Sequence, residues 1–129
     1  MNGWAKTLWV GLGGFLGANA RYWLGAWVQG HRWAAGWPWG TFVINVTGSF
    51  ILGLFLSLLL GRLSAWHAAE IRLLVPVGFV GAYTTFSTFE YETYALASAG
   101  SLARAAANVV GSVVVGFFAV WLGARLGRG

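Results

Sequence analysis

Four long apolar runs, joined by short links, make up almost the whole chain. They extend from about Trp4 to Val28, Trp39 to Leu60, Glu70 to Ala97 and Leu102 to Leu122. A helix that crosses hydrocarbon needs roughly 20 mainly apolar residues, so each run predicts one span. The first link carries His31-Arg32 and Pro38, the second runs from Gly61 to His67, and the third is Ser98-Ala99-Gly100-Ser101. No soluble domain, low-complexity tail or internal repeat interrupts this order. The expected fold is an all-α membrane protein with one four-span domain over residues 1–129. Four short helices hardly enclose a solvated path alone, so an oligomer is expected. Gly13 and Gly17, and again Gly36 and Gly40, are spaced for close helix packing.

Polar positions inside these runs carry the functional signal. Thr41, Asn45 and Ser49 follow one another at i+4 steps on the second span and form one polar stripe. The amide of Asn45 offers two donors and an acceptor; such a stripe serves either interhelical hydrogen bonding or an ion path, and its continuity favours the path. In the third span, Gly78 and Gly81 each weaken helix by roughly 1 kcal/mol, and Pro76 lacks an N–H. Together they predict a break near its middle. Beyond it, Phe86 and Phe89 share one face, as do Thr85 and Thr88. Two phenyl rings at that spacing are ordinary packing in most helices. Interleaved with hydroxyls, their positive edges also suit an anion, and the carbonyls freed by a break suit a small cation. Asn108 and Ser112 repeat the i+4 spacing on the fourth span, as Tyr94 and Ser98 do before it.

Charge sharpens this picture. Only 9% of residues are charged and mean hydropathy is +0.69, against roughly 25% charged in soluble domains. Nine Trp suit the membrane–water interface. The net charge of +5 is scattered singly between apolar runs, which sets orientation and is no nucleic-acid footprint. Lys6, Arg62, Arg72, Arg125 and Arg128 fall on the side of the termini, against Arg32 and Arg104 on the other. That bias places termini and middle link in the cytoplasm, with the chain multi-pass in the cell inner membrane. Arg21 lies on the Gly13–Gly17 face of the first span. It either snorkels to the headgroups or faces the bundle interior, the default for an intramembrane charge. The first two spans contain no Asp or Glu, so no carboxylate waits there for a proton or cationic substrate. Glu90 and Glu92, near the end of the third span, are interfacial, paired with Arg104, or part of the transport route.

Other chemistries are excluded. The chain has no Cys, hence no disulfide or thiolate site. His31 and His67 fall in loop-like positions without a second ligand at metal spacing. Gly11 to Gly17 lacks the Lys-Ser/Thr ending of a phosphate loop, and no nucleophile–base set suggests an enzyme. Lys6, the apolar run and Ala18-Asn19-Ala20 imitate a cleaved leader. The lone Lys and the apolar stretch resuming past Arg21 make residues 1–20 part of the mature protein in this reading.

Gly13-Gly14-Phe15-Leu16-Gly17-Ala18 with Arg21-Tyr22 resembles the first-span signature of the CrcB/Fluc fluoride channels. Gly40-Thr41-Phe42-Val43-Ile44-Asn45-Val46-Thr47-Gly48-Ser49-Phe50 resembles their second-span motif. Gly78-Phe79-Val80-Gly81 with Thr84-Thr85-Phe86-Ser87-Thr88-Phe89 resembles their third. The resemblance implies an antiparallel, dual-topology homodimer with two pores that pass F⁻ passively and protect the cell from its accumulation. It makes Phe86 and Phe89 the pore phenylalanines, Asn45 the pore asparagine and Arg21 the vestibule arginine. Thr41, Thr85, Thr88 and Ser112 join the polar track, with Asn108 beside it where a serine-like residue is expected. The carbonyls of Gly81 and Thr84, from both subunits, hold a structural Na⁺. Ala82 stands where many members carry a second glycine, and Glu90 where a small polar residue is usual. Insertion both ways up stands against the five-to-two charge bias. The rival reading, a small dimeric four-span multidrug-type proton-coupled transporter, needs an acid in the first span, where this chain has Arg21. A structural membrane subunit without transport would not need polar stripes on three spans.

Overall fold

The computed structural model describes residues 1–61 and 65–128; Arg62, counted above with the termini, lies outside them. Every regular element among the described residues is helical. Helix α1 (Gly3–Gln29) starts where Asn2 Oδ1 accepts the Ala5 N–H at 2.9 Å, which satisfies one of the donors a helix start leaves free. A 3₁₀ turn (Arg32–Ala34) leads to α2 (Trp39–Gly61), whose first turn closes on the Pro38 carbonyl through Phe42 N–H at 3.0 Å. The third pass is composite: α3 (Ala65–Arg72), a π-helix (Leu73–Val80), a short α4 (Gly81–Tyr83) and α5 (Phe86–Ser98). Helix α6 (Leu102–Arg128) completes the chain. His67, expected in a loop, falls on the backbone of α3.

Backbone closeness dictates the packing. A methyl at Gly13 would run into the Leu74 carbonyl and one at Gly17 into that of Phe79, so only glycine lets α1 lie against the π-helix. A second seam joins α2 to α6: Gly53 faces Val120, Gly123 faces Phe50, and a Cβ on Gly127 would sit 2.6 Å from the Leu54 carbonyl. In both pairs residue numbers rise together, so these helices run parallel. Both termini and the α2–α3 connection therefore share one end of the bundle. The α1–α2 and α5–α6 links share the other, where Arg104 Nη1 donates to the Gly36 carbonyl at 3.4 Å and Trp37 Nε1 to that of Arg104 at 3.3 Å. The Gly36–Gly40 pair expected on one helix face divides differently. A Cβ on Gly40 would sit 2.5 Å from the Gly25 carbonyl, whereas Gly36 is a turn residue with φ of +87°.

The break in the third pass lies later than glycine and proline predict. Pro76 and Gly78 sit inside the π-helix, whose wider winding takes up the proline without ending the helix. The chain leaves helical geometry at Thr84 (φ −84°, ψ 156°) and Thr85 (φ −146°, ψ 115°). The outer surface is apolar: Phe15, Trp23, Phe117 and Phe118 are all exposed. Helices α2 and α6 are long and apolar enough to cross a membrane, and only 22% and 11% of their most apolar stretches are buried within the chain. Apolar side chains turned outward on such helices belong to a protein whose solvent is lipid.

Candidate ion path

The break is held open by one side chain. Asn45, on α2, donates Nδ2 to the Thr85 carbonyl at 3.1 Å and accepts the Thr85 N–H on Oδ1 at 2.8 Å. A carboxamide thus reproduces the donor–acceptor pair that a neighbouring strand would supply, and an extended residue stays satisfied away from water. Thr85 then serves as N-cap of α5, its Oγ1 accepting the Thr88 N–H at 3.3 Å and donating to Thr88 Oγ1 at 3.0 Å. The free N–H groups of the first turn of α5, and the positive end of its dipole, gather at this point. Tyr83 secures the other side of the break. Its hydroxyl pairs with Thr47 Oγ1 at 2.8 Å and its ring stacks on Phe79 with centroids 5.4 Å apart.

Three cavities adjoin the break in series. The first, about 300 Å³, is lined by Asn45, Ser49, Thr84, Thr85, Phe86, Phe89 and Ser112, with apolar walls from Leu52, Val80 and Val113. The second, also about 300 Å³, shares Thr85 with it and adds Arg21, Thr41, Thr88, Gln29 and Glu92. The third, about 470 Å³, shares Gln29 and Glu92 with the second and ends at Trp37 and Arg104. Phe86 and Phe89 lie with ring centroids 5.9 Å apart and planes at 39°; Phe89 is buried and Phe86 is 74% exposed. The stripe of Thr41, Asn45 and Ser49 and the residues of the Phe86–Phe89 motif therefore converge on adjacent cavities, although they lie some forty residues apart in the chain.

Glu92 corrects one expectation. It does not pair with Arg104: its Oε1 accepts from Thr41 Oγ1 at 2.8 Å, and its buried Oε2 has no partner among the described residues. The Arg104 guanidinium is directed instead at the Gly36 carbonyl of the α1–α2 link. Glu90 is exposed, as are Tyr94 and Ser98. Asn108 lines none of the three cavities. Among the described residues it is the largest side chain under 2% exposed, at 1%, and it pins α6 to α5 by donating Nδ2 to Thr93 Oγ1 at 2.9 Å. Its Oδ1 accepts weakly from Ser112 Oγ at 3.5 Å. Sequence reasoning passed over Thr47, Tyr83 and Thr93. Their only signal was a hydroxyl within an apolar helix, and the partner of each lies on another element.

The break also bears on a cation. Thr85 N–H, which would bond the Gly81 carbonyl in a continuing helix, goes to Asn45. Thr88 N–H, which would bond Thr84, goes to the Thr85 cap. Both carbonyls keep free lone pairs at a discontinuity, a donor set that fits a small hard cation such as Na⁺.

These features have counterparts in known proteins. The family description "CrcB-like protein, Camphor Resistance (CrcB)" matches residues 8–124. The chain belongs to the CrcB family. A fluoride-specific ion channel FluC from Acidobacterium capsulatum is 49% identical over 126 residues, covering 95% of this chain and 96% of that one. Its namesake in Chloroflexus aurantiacus is 44% identical over 123 residues, 95% of each chain. That of Thermus thermophilus is 47% identical over 123 residues, 95% of this chain and 93% of its own. Family membership thus spans all the helical passes and every cavity described above.

Proposed function

We infer that this chain is a fluoride-selective passive ion channel that lets F⁻ leave the cell and so lowers cytoplasmic fluoride. The observation that carries the reading is its 44–49% identity, over nearly its whole length, to proteins named fluoride-specific ion channels. The multidrug-type transporter is not favoured, since Arg21 stands where that mechanism needs an acid.

In this proposal the four passes are membrane spans of one domain in the cell inner membrane, and two copies pair antiparallel as a dual-topology homodimer. The exposed ring of Phe86 and the open first cavity support a second copy completing the path. Arg21 draws the anion toward Thr41, Thr85 and Thr88. Asn45, Ser49 and Ser112 continue the polar track, and the edges of Phe86 and Phe89 carry F⁻ through the dry part. Asn108 supports the track from behind by placing Ser112. Several weak donors replace the hydration shell, the general device of selectivity filters. The carbonyls of Gly81 and Thr84, with those of the second copy, would hold Na⁺, which supplies fixed positive charge at the dimer centre. No covalent step is involved, so the protein is a channel rather than an enzyme.

The test is efflux from liposomes loaded with KF or KCl and followed with ion-selective electrodes. Rapid F⁻ release without Cl⁻ release is expected. Release of neither ion by folded dimeric protein, or of both equally, would overturn the reading.

A further inference from the structure

A fourth cavity opens at the end of the bundle that carries both termini, and it shares no lining residue with the three of the ion path. It measures about 710 Å³. Its walls are apolar: Leu56, Leu59 and Leu60 come from one face of α2, and Leu73 from the start of the π-helix. Lys6 and Arg72 stand in the same lining, brought there from α1 and α3, and no acid does. Both cations are exposed. The acid nearest in sequence, Glu70, shares α3 with Arg72 but is not part of the lining, and its Oε2 is buried. Arg125 and Arg128, in the last turn of α6, add positive charge at the same end.

Two cations over a leucine-walled groove match one chemistry. A soluble anion has no use for the leucines, and a neutral lipid has no use for two fixed positive charges. We propose that this groove is a binding site for an anionic phospholipid. The headgroup phosphate meets Lys6 and Arg72, and an acyl chain lies along Leu56, Leu59 and Leu60. Basic pockets between membrane helices recognise anionic headgroups through the same combination of charge and apolar wall. The site is distinct from ion conduction, and it ties the α1 and α3 ends of the bundle to one leaflet.

The proposal is tested by native mass spectrometry of the full-length protein taken from vesicles of equimolar palmitoyl-oleoyl phosphatidylglycerol and phosphatidylcholine. The wild type should retain phosphatidylglycerol over phosphatidylcholine by about tenfold or more. The double variant Lys6→Gln/Arg72→Gln should fall close to parity, and Lys6→Arg/Arg72→Lys should keep the preference. Leu60 is 89% exposed, so Leu60→Asp leaves packing intact while placing a carboxylate in the groove; it should also lower retention. Parity in the wild type, an unchanged preference in the Gln/Gln variant, or full retention in Leu60→Asp would each overturn the site. So would displacement of the lipid by inorganic phosphate at equal molarity, which would make it a free-anion site. Fluoride efflux measured on the same samples is a separate readout, so failure of the channel reading leaves the lipid result standing.

Discussion

Asn45 shapes the backbone of another pass, because both ends of its amide are spent on the backbone of Thr85. Asn45→Ala should strand a buried N–H and a buried C=O, a loss of about 2–6 kcal/mol at 1–3 kcal/mol each. A lowered thermal midpoint of the detergent-solubilised protein would register it, together with lost fluoride efflux. The two phenylalanines should separate by exposure. Phe89 is 8% exposed and Phe86 74%. Either change to Ile should slow efflux by at least about tenfold, the effect of roughly 1.4 kcal/mol on a barrier. Only Phe89→Ile should also lower the stability of the subunit. Equal efflux in wild type and both variants would remove the ring edges from the mechanism. At this scale the sequence was readable in identity but not in role. The i+4 stripe marked Thr41 and Asn45 as special. That Asn45 pairs with a backbone forty residues away, or that Thr41 bonds Glu92 rather than leaving it to Arg104, depends on tertiary contacts that leave no local trace. Asn108 is the converse case: its spacing from Ser112 suggested a path, and its amide proves to hold two helices together.

Among the elements, glycine decides which helices touch. Gly13→Ala would push α1 off the π-helix against backbone that cannot yield, so a loss of about 1–3 kcal/mol is expected. Gly14 has open space around its Cβ position, and Gly14→Ala should stabilise by about 0.5–1 kcal/mol through helix propensity. Thermal unfolding of the two variants side by side measures the contrast. Helix extents were legible because apolar runs end where turn residues begin: the second run, expected at about 39–60, is helix Trp39–Gly61. The break was legible in existence and displaced in position. Proline and glycine report a local cost, and a π-helix absorbed it. What sets the discontinuity at Thr84 and Thr85 is a partner on another helix. The α2–α6 seam could have been found by the rule applied to Gly13 and Gly17, since Gly123 and Gly127 are also four apart.

For the whole molecule, the decisive feature is one break, where the cavity lined by Asn45, Thr85, Phe86 and Phe89 adjoins two carbonyls that no helix hydrogen bond uses. Replacing Na⁺ by N-methyl-D-glucamine throughout purification should cut efflux by about tenfold or more if the Gly81 and Thr84 carbonyls hold the ion. Cross-linking should show whether the proposed dimer persists without it. Undiminished flux would make the free carbonyls an incidental result of the break. The ends of the bundle were legible from the even number of apolar runs, which puts Lys6, Arg62, Arg72, Arg125 and Arg128 with the termini; Arg62 lies outside the described residues. The groove between Lys6 and Arg72 was not, because it exists only once α1, α2 and α3 meet.

The donors along the proposed path have one property that bears on speed. Thr85 Oγ1 is already given to Thr88, Thr41 Oγ1 to Glu92, and the Asn45 amide to Thr85. An ion on this proposed path would draw each of these hydrogen bonds away from its internal acceptor, and the bond would re-form when the ion leaves. For these three donors the number of hydrogen bonds would stay nearly constant, so none of them would become a deep well. A level profile of this kind reconciles recognition with rapid turnover, because an ion held nowhere tightly is free to leave.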